Sequence, residues 1–262
     1  MVLSSSFPIA DADLIVGMAR GMAVLESFDT QRQRLNATLA AQRAGITRAA
    51  ARRHLLTLAH LGYLESDGSY FWLSPRVLRL AGSYLASARL PRAVQPMLDR
   101  LAGSTGQACS VVVQDGAEVV IVARSETPRV APSAAVVGLH LGARLPAHAT
   151  STGHVLLAGL EPDRLRAWLA HYPLMRLTPH TITQAAALRR ALAAVRRQDW
   201  CLLHEAHELG VHALAVPLRT MQGQMVAALN VVVSTARAPA TGQLQQLLPL
   251  LQAAAREVRG QI

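Results

Sequence analysis

The sequence predicts an α+β protein of two unequal domains: an N-terminal winged helix-turn-helix, a connecting helix, and a larger C-terminal domain around a central antiparallel sheet. Three observations carry this. Residues 35–64 read as helix, glycine turn and capped helix; a hairpin signal follows at Asp67-Gly68; and past residue 105 the apolar pattern changes to period two in two strand pairs. A chain of 262 residues suits two domains, and 51% hydrophobic content is enough for both cores.

Residues 1–12 are small and polar and are expected to be a disordered leader to a DNA-binding domain over 13–74. Leu14, Ile15, Met18, Met22, Val24, Leu25 and Phe28 recur at helical spacing, which predicts a first helix over 13–27. Thr38 is the expected cap of a short helix ending at Gly45, where glycine takes the tight turn at no steric cost. Thr47 then caps a second helix over 48–61, with Leu55, Leu56, Leu58 and Leu61 on its core face. Strands over 63–66 and 69–73 flank Asp67-Gly68 as a wing.

Ser74-Pro75 sets a cap and a proline at the first helical position, opening a linker helix over 75–88 within a linker region ending at 90. Val77, Leu78, Leu80, Ala81, Tyr84 and Leu85 make it apolar around much of its circumference, as an inter-domain or subunit-facing helix would be. Pro91 opens the C-terminal domain, 91–262, with a helix to about 104. Strands over 110–114 and 118–123 pair across Asp115-Gly116, and strands over 211–218 and 226–234 pair across Gln222-Gly223. Helices over 151–160, 162–171 and 184–198 lie between the hairpins, and one over 241–259 ends the chain.

The chain has no lysine, so all 26 basic residues are arginine; the net charge of +10 favours a polyanionic partner. Cys109 and Cys201 stand far apart without CxxC spacing, so neither a disulfide framework nor a zinc site is expected. Charges interrupt every apolar run, and no secretory leader is visible. A cytoplasmic protein away from membranes is the expectation, with no metal and no cofactor.

From Gln31 to Leu64 there are six arginines and no acidic residue. Such a patch suits duplex phosphates. On the second helix Arg48, Ala49 and Arg52 share one face, with Arg53 beside them. Arginine can fork onto guanine O6 and N7, while alanine permits contact with a thymine methyl. Thr47 and the free amides behind it suit a phosphate, and Gly68 and Ser69 sit at the wing tip. A merely solvated basic helix is the bland alternative.

With these residues in place, the sequence resembles the IclR family, in particular the subgroup regulating protocatechuate and 4-hydroxybenzoate catabolism. The segments that carry the resemblance are VGMARGMAVLESF (16–28), AGITRAAARRHLLTLAHLGYL (44–64), FWLSPRVLRLAGSYLASARLPR (71–92), RLPAHATSTGHVLLA (144–158), HELGVHALAVPLR (207–219) and AALNVVVS (227–234). The resemblance implies a GAF-like effector domain, a homodimer or homotetramer, an operator on double-stranded DNA and control by an aromatic acid or its ring-cleavage product. Subgroup members act mostly as activators, which adds RNA polymerase as a partner.

Ser151, Thr152 and Gly153 start a helix after the LPAHA stretch, so free amides and hydroxyls there can receive a carboxylate. The resemblance places the effector's carboxylate at this point. Val211 and Ala213 on one strand, and Asn230 and Val232 on another, supply an apolar slot with one amide; Val137 and Leu145 are further walls. Relatives usually carry a DEE-like acidic run and a later arginine, where this chain reads His204-Glu205-Ala206 and His212. His204 therefore becomes a candidate contact to an acidic ligand.

Two other functions compete. An enzyme acting on a small organic acid would need a catalytic order that the scattered histidines lack, since HExxH and GxSxG are absent. A ligand-independent DNA-binding protein would have no use for a sensor-sized second domain.

Overall fold

The computed structural model describes residues 9–30, 32–125, 140–234 and 241–262. The chain divides into two compact units, Met1–Ser87 and Ala88–Ile262.

In the first unit, Asp11–Asp13 forms a 3-10 turn at the end of the expected leader, and α1 spans Val16–Leu25. Only Ala23 and Val24 of α1 are buried; Leu14, Ile15, Met18 and Met22, part of the helical spacing that predicted the helix, are exposed. Helix α2 is Ala37–Ala44, and its cap is Asn36 rather than Thr38: Asn36 Oδ1 accepts from the amides of Thr38 and Leu39 at 3.1 and 3.0 Å. Helix α3 is Arg48–His60, entered through Gly45 in the left-handed region and capped by Thr47, whose Oγ1 accepts from the Ala50 amide at 3.3 Å.

The core face of α3 is narrower than the leucine pattern suggests. Ala51 and Leu55 are buried and Leu58 and Ala59 half-buried, whereas Leu56 and Leu61 are exposed. One residue beyond Leu55 is about 100° round the helix, which carries Leu56 off the stripe.

Strands β1 (Leu64–Ser66) and β2 (Phe71–Leu73) pair antiparallel, and Leu35 bridges Phe71 as a third rung. Their connection is a four-residue turn over 67–70, wider than the two-residue hairpin expected. Asp67 Oδ1 accepts from the amides of Ser69 and Tyr70, and Gly68 takes φ 95°, a conformation that favours glycine. A 3-10 turn (Pro75–Val77) then leads into α4 (Leu78–Ser87), none of whose residues is buried.

The second unit begins with α5, Arg89–Thr105, so Pro91 sits inside the first turn, where no intrahelical amide is needed, rather than opening the helix. The sheet has six strands in the order β5-β4-β3-β8-β7-β6, all neighbours antiparallel. The expected hairpins are β3 (Ala108–Asp115) with β4 (Glu118–Arg124), and β7 (Val211–Arg219) with β8 (Met225–Ser234). Two short strands were not anticipated: β5 (Arg144–Pro146) and β6 (Cys201–His204) extend the edges.

Helices α6 (Ser151–Ala158), α7 (Pro162–His171) and α8 (Ala185–Gln198) follow the expected order, and the chain closes with α9 (Thr241–Gln245) and α10 (Leu248–Glu257) in place of one continuous helix. Each sheet face buries its own core. Leu214, Val216, Leu229 and Val231 pack with α5 and α10. Val112, Val119, Ala215 and Ala228 pack with α6 and α8. Strand alternation decides which core each side chain joins.

Candidate functional site

On the first unit Arg48, Ala49, Arg52 and Arg53 are all exposed, opposite the buried Ala51 and Leu55. Helix geometry leaves the first amides of α3 without intrahelical acceptors, so a cation-lined, donor-rich surface faces outward. The six-arginine patch is not uniform, however. Arg43 is paired with Asp29 and Arg34 with Asp67, acidic residues just outside the acid-free interval. Arg34 also stacks over Trp72, 4.8 Å from the ring centroid, which ties the wing to the body. At the tip the amides of Gly68 and Ser69 are used inside the turn, by Ser66 Oγ and Asp67 Oδ1, so Ser69 can offer an incoming phosphate its hydroxyl.

On the second unit, α6 is buried along its whole length. Thr150 caps it, Oγ1 accepting from the Gly153 amide at 3.1 Å. The Gly153 amide is therefore committed, and of the three donors expected for a carboxylate only those of Ser151 and Thr152 remain without an intrahelical acceptor. Gly153 is where the helix touches the preceding turn: a Cβ there would lie 2.0 Å from the Ala147 carbonyl oxygen.

The C-terminal end of α6 lies over the Pro217 and Met225 end of the β7/β8 hairpin, where Val155, Ala158 and Gly159 line a cavity of about 200 Å³ with Pro217, Arg219 and Met225. Its charged groups are already engaged, Arg219 by Asp199 and Arg196 by the carbonyls of Ala158 and Leu160. At the start of α6, and on the sheet face away from that hairpin end, buried polar atoms lack partners. Ser151 Oγ and Asn230 Oδ1 make no hydrogen bond, although both residues are more than nine-tenths buried. Orphaned buried acceptors are uncommon, which makes this end of the sheet face the candidate ligand site.

Register sorts the expected site residues. Leu145 pairs with Val119, Ala213 with Val232, and Asn230 with Ala215, which places Leu145, Val211, Ala213, Asn230 and Val232 on the α6 face with Ser151, Thr152 and Gly153. His204 does not join them. It pairs with His212, one position out of phase with Leu203 and Ala213, so both histidines belong to the α5 and α10 face. Their Nδ1 atoms are 2.9 Å apart, and the pKa of His212 is lowered by burial and then by His204. Leu203, the partner of Ala213, takes the place expected for His204. Val137 lies outside the described residues.

Sequence reasoning missed two further residues. Ser110 pairs with Asn230 on one side and Arg124 on the other, so Arg124, Ser110, Asn230 and Ala215 form one row across four strands on the α6 face. Ser110 is buried and Arg124 half-buried, and burial pulls the Arg124 pKa below the ordinary guanidinium value. Period-two counting along β3 could have found Ser110, whereas the irregularity in β4 between Ile121 and Ala123 shifts the alternation and hides Arg124 from the same count.

Two buried histidines lie in α6 and in the turn before it. His154 is buried, its Nε2 donating to the His148 carbonyl at 2.8 Å, and desolvation pushes its pKa down to about 4. His148 Nε2 lies 2.9 Å from the Met175 carbonyl oxygen. Among the described residues no three metal-ligating side chains converge, and no helix is long and apolar enough to cross a membrane.

Comparison with known proteins agrees with this architecture. Residues 17–68 match the IclR helix-turn-helix domain and residues 82–259 the bacterial transcriptional regulator IclR C-terminal domain. The chain is 52% identical to the Pca operon regulatory protein of Acinetobacter baylyi over 96% of its length and 90% of the relative's. It is 50% identical to the p-hydroxybenzoate hydroxylase transcriptional activator of the same organism, over 97% and 94%. Among solved structures it is similar to a double mutant of the PobR inducer-binding domain from Acinetobacter in complex with 3-hydroxybenzoic acid, at 46% identity and TM-score 0.61, covering 67% of this chain and 100% of that one. It is also similar to an IclR homolog from Microbacterium hydrocarbonoxydans complexed with 4-hydroxybenzoate, at 28% identity and TM-score 0.72, covering 93% and 97%. These matches are to regulators, which sets the enzyme reading aside. The chain, with its exposed arginine helix and its separate sheet-based unit, belongs to the IclR family of bacterial transcriptional regulators.

Proposed function

We propose that this regulator controls a catabolic operon from the cytoplasm in response to a hydroxylated aromatic carboxylic acid, with 4-hydroxybenzoate or protocatechuate ahead of the ring-cleavage product β-ketoadipate. The observation that carries the reading is the α6 face of the sheet: Leu145, Leu203, Ala213 and Val232 make that face largely apolar, and the buried Ser151 Oγ and Asn230 Oδ1 have no hydrogen-bond partner within the protein. A flat ring with polar substituents matches such a lining, because pockets of this kind bury an apolar body and orient it with a few polar groups. The relatives named for p-hydroxybenzoate and Pca control support the same class.

Arg48, Ala49, Arg52 and Arg53 are proposed to read the operator in the major groove, Thr47 and the first amides of α3 to hold a phosphate, and Gly68 and Ser69 to follow the backbone beside it. A homodimer or homotetramer fits this role, since one recognition helix reads too few base pairs. The subgroup favours activation, with RNA polymerase as the downstream partner. Calorimetry of the full chain with 4-hydroxybenzoate, protocatechuate and β-ketoadipate tests the effector class. Saturable one-site binding of an aromatic acid supports it, and binding of none of the three removes it.

A further inference from the structure

We propose that Arg124 is the cation that receives the effector's carboxylate, with the acid lying along the sheet row so that its ring hydroxyl meets Asn230. The inference rests on the aromatic-acid reading above and adds the orientation of the ligand and the residue that selects an acid over a neutral analogue.

Arg124 closes β4, and its register with Ser110 fixes it on the α6 face, in the row that continues to Asn230 and Ala215. Its backbone is anchored from behind: Gln95 of α5 donates to the Arg124 carbonyl at 3.0 Å and also to Asp99 at 2.9 Å. Two strand spacings, ~10 Å, separate the Arg124 and Asn230 backbones, a span comparable to that of a benzene ring with a substituent at each end.

What distinguishes Arg124 is partial burial without a counter-charge; the other arginines of this unit that form no ion pair among the described residues are exposed. Arg100, Arg144 and Arg219 of the same unit each meet a carboxylate, on Glu257, on Asp115 and Glu118, and on Asp199 respectively. Among the described residues Arg124 has no ion pair, though it is half-buried. The two environments differ electrostatically as well: the carboxylates beside Arg144 hold its pKa up against burial, whereas nothing offsets burial at Arg124. A partly desolvated guanidinium without a partner is costly, and a carboxylate taken bidentately relieves that cost. At the other end of the row Asn230 Oδ1 is a buried acceptor lacking a donor. A cation at one end and an acceptor at the other match the carboxylate and the hydroxyl of a hydroxybenzoate, in that order.

The test compares 4-hydroxybenzoate with the neutral 4-hydroxybenzamide by calorimetry on full-length wild type, Arg124→Gln and Arg124→Lys, with DNA binding and thermal melting as fold controls. Wild type is expected to prefer the acid. Arg124→Gln should lose about 30-fold or more for the acid, within the range for hydrogen bonds to a charged group, and less than about threefold for the amide. Arg124→Lys should fall between, retaining charge without the fork. Should Arg124→Gln misfold, the Lys variant decides: an acid-to-amide ratio equal to wild type overturns the proposal. An unchanged ratio in a folded Arg124→Gln also overturns it and leaves the effector reading standing, with the Ser151 and Thr152 amides as the carboxylate site. Wild type that binds no aromatic acid removes both.

Discussion

Gly153 packs its α-carbon against the backbone of Ala147, so closely that a side chain of one carbon would sit 2.0 Å from the Ala147 carbonyl oxygen. This contact folds the 3-10 turn Ala147–Ala149 back against α6 and sets where the helix begins over the sheet. Gly153→Ala, which in an exposed helix would stabilise by up to about 1 kcal/mol, should here destabilise by about 3 kcal/mol. Denaturant unfolding measures this, and a variant as stable as wild type would show that the turn and helix are not clamped.

On the DNA side, Arg48→Ala and Arg52→Ala should each weaken specific operator binding while leaving effector binding intact. A base contact costs about 1 to 3 kcal/mol and relaxes specificity at one base pair, whereas a phosphate contact weakens all sequences alike. Arg34→Ala should act differently, because its guanidinium holds Asp67 and Trp72 and so positions the wing. Footprints unchanged for both α3 variants would refute the assignment of that helix.

Filling or depolarising the sheet pocket should separate ligand response from DNA binding. Ala213→Phe is expected to abolish effector binding with operator affinity retained. Asn230→Ala should weaken the effector by about 1 to 3 kcal/mol, yet leave the free protein's stability nearly unchanged, since it removes an acceptor that was already unsatisfied. Full-strength calorimetric binding in Ala213→Phe would move the site elsewhere in the unit.

His154 predicts a pH dependence of folding. Burial lowers its pKa from 6.5 to about 4, so the unfolded chain takes up this proton first as pH falls. The stability is fully present above pH 6.5 and is lost between 6.5 and about 4, amounting to about 3 kcal/mol in all. His154→Gln keeps a donor for the His148 carbonyl but cannot titrate in this window. Urea unfolding at pH 7 and 4.5 should show a shallower acid loss in the variant; equal slopes would mean that His154 is not the group responsible.

The exposed apolar surface of α4 predicts self-association. Leu78, Leu80 and Tyr84 are 66%, 56% and 48% exposed, in a helix that buries none of its residues within the chain. Sedimentation should find a dimer or larger at micromolar concentration, and Leu80→Asp should shift it toward monomer. A monomeric wild type, on and off DNA, would remove α4 as an interface.

Local chemistry made much of this protein legible before any coordinates. The Thr47 cap, the glycine in the turn at Gly45, and the Ser74-Pro75 start act within a few residues, so the helix-turn-helix and the entry to the linker were determined by sequence. The same holds for the two main hairpins, whose period-two runs need no distant partner to be read. Tertiary structure decided what local patterns leave degenerate. Which leucines of α3 reach the core depended on where neighbours stand, so Leu55 is buried and Leu56 is not. The pairing of β6 with β7 turned His204 away from α6 and put Leu203 in its place, because a shift of one residue exchanges the faces of a strand. Asp29 and Asp67 lie outside the acid-free interval, yet they pair with Arg43 and Arg34 within it, and only folding brings them together. Arg124 and Asn230 are separated by more than a hundred residues of sequence, and it is the order β4-β3-β8 in the sheet that sets them two strands apart on one face.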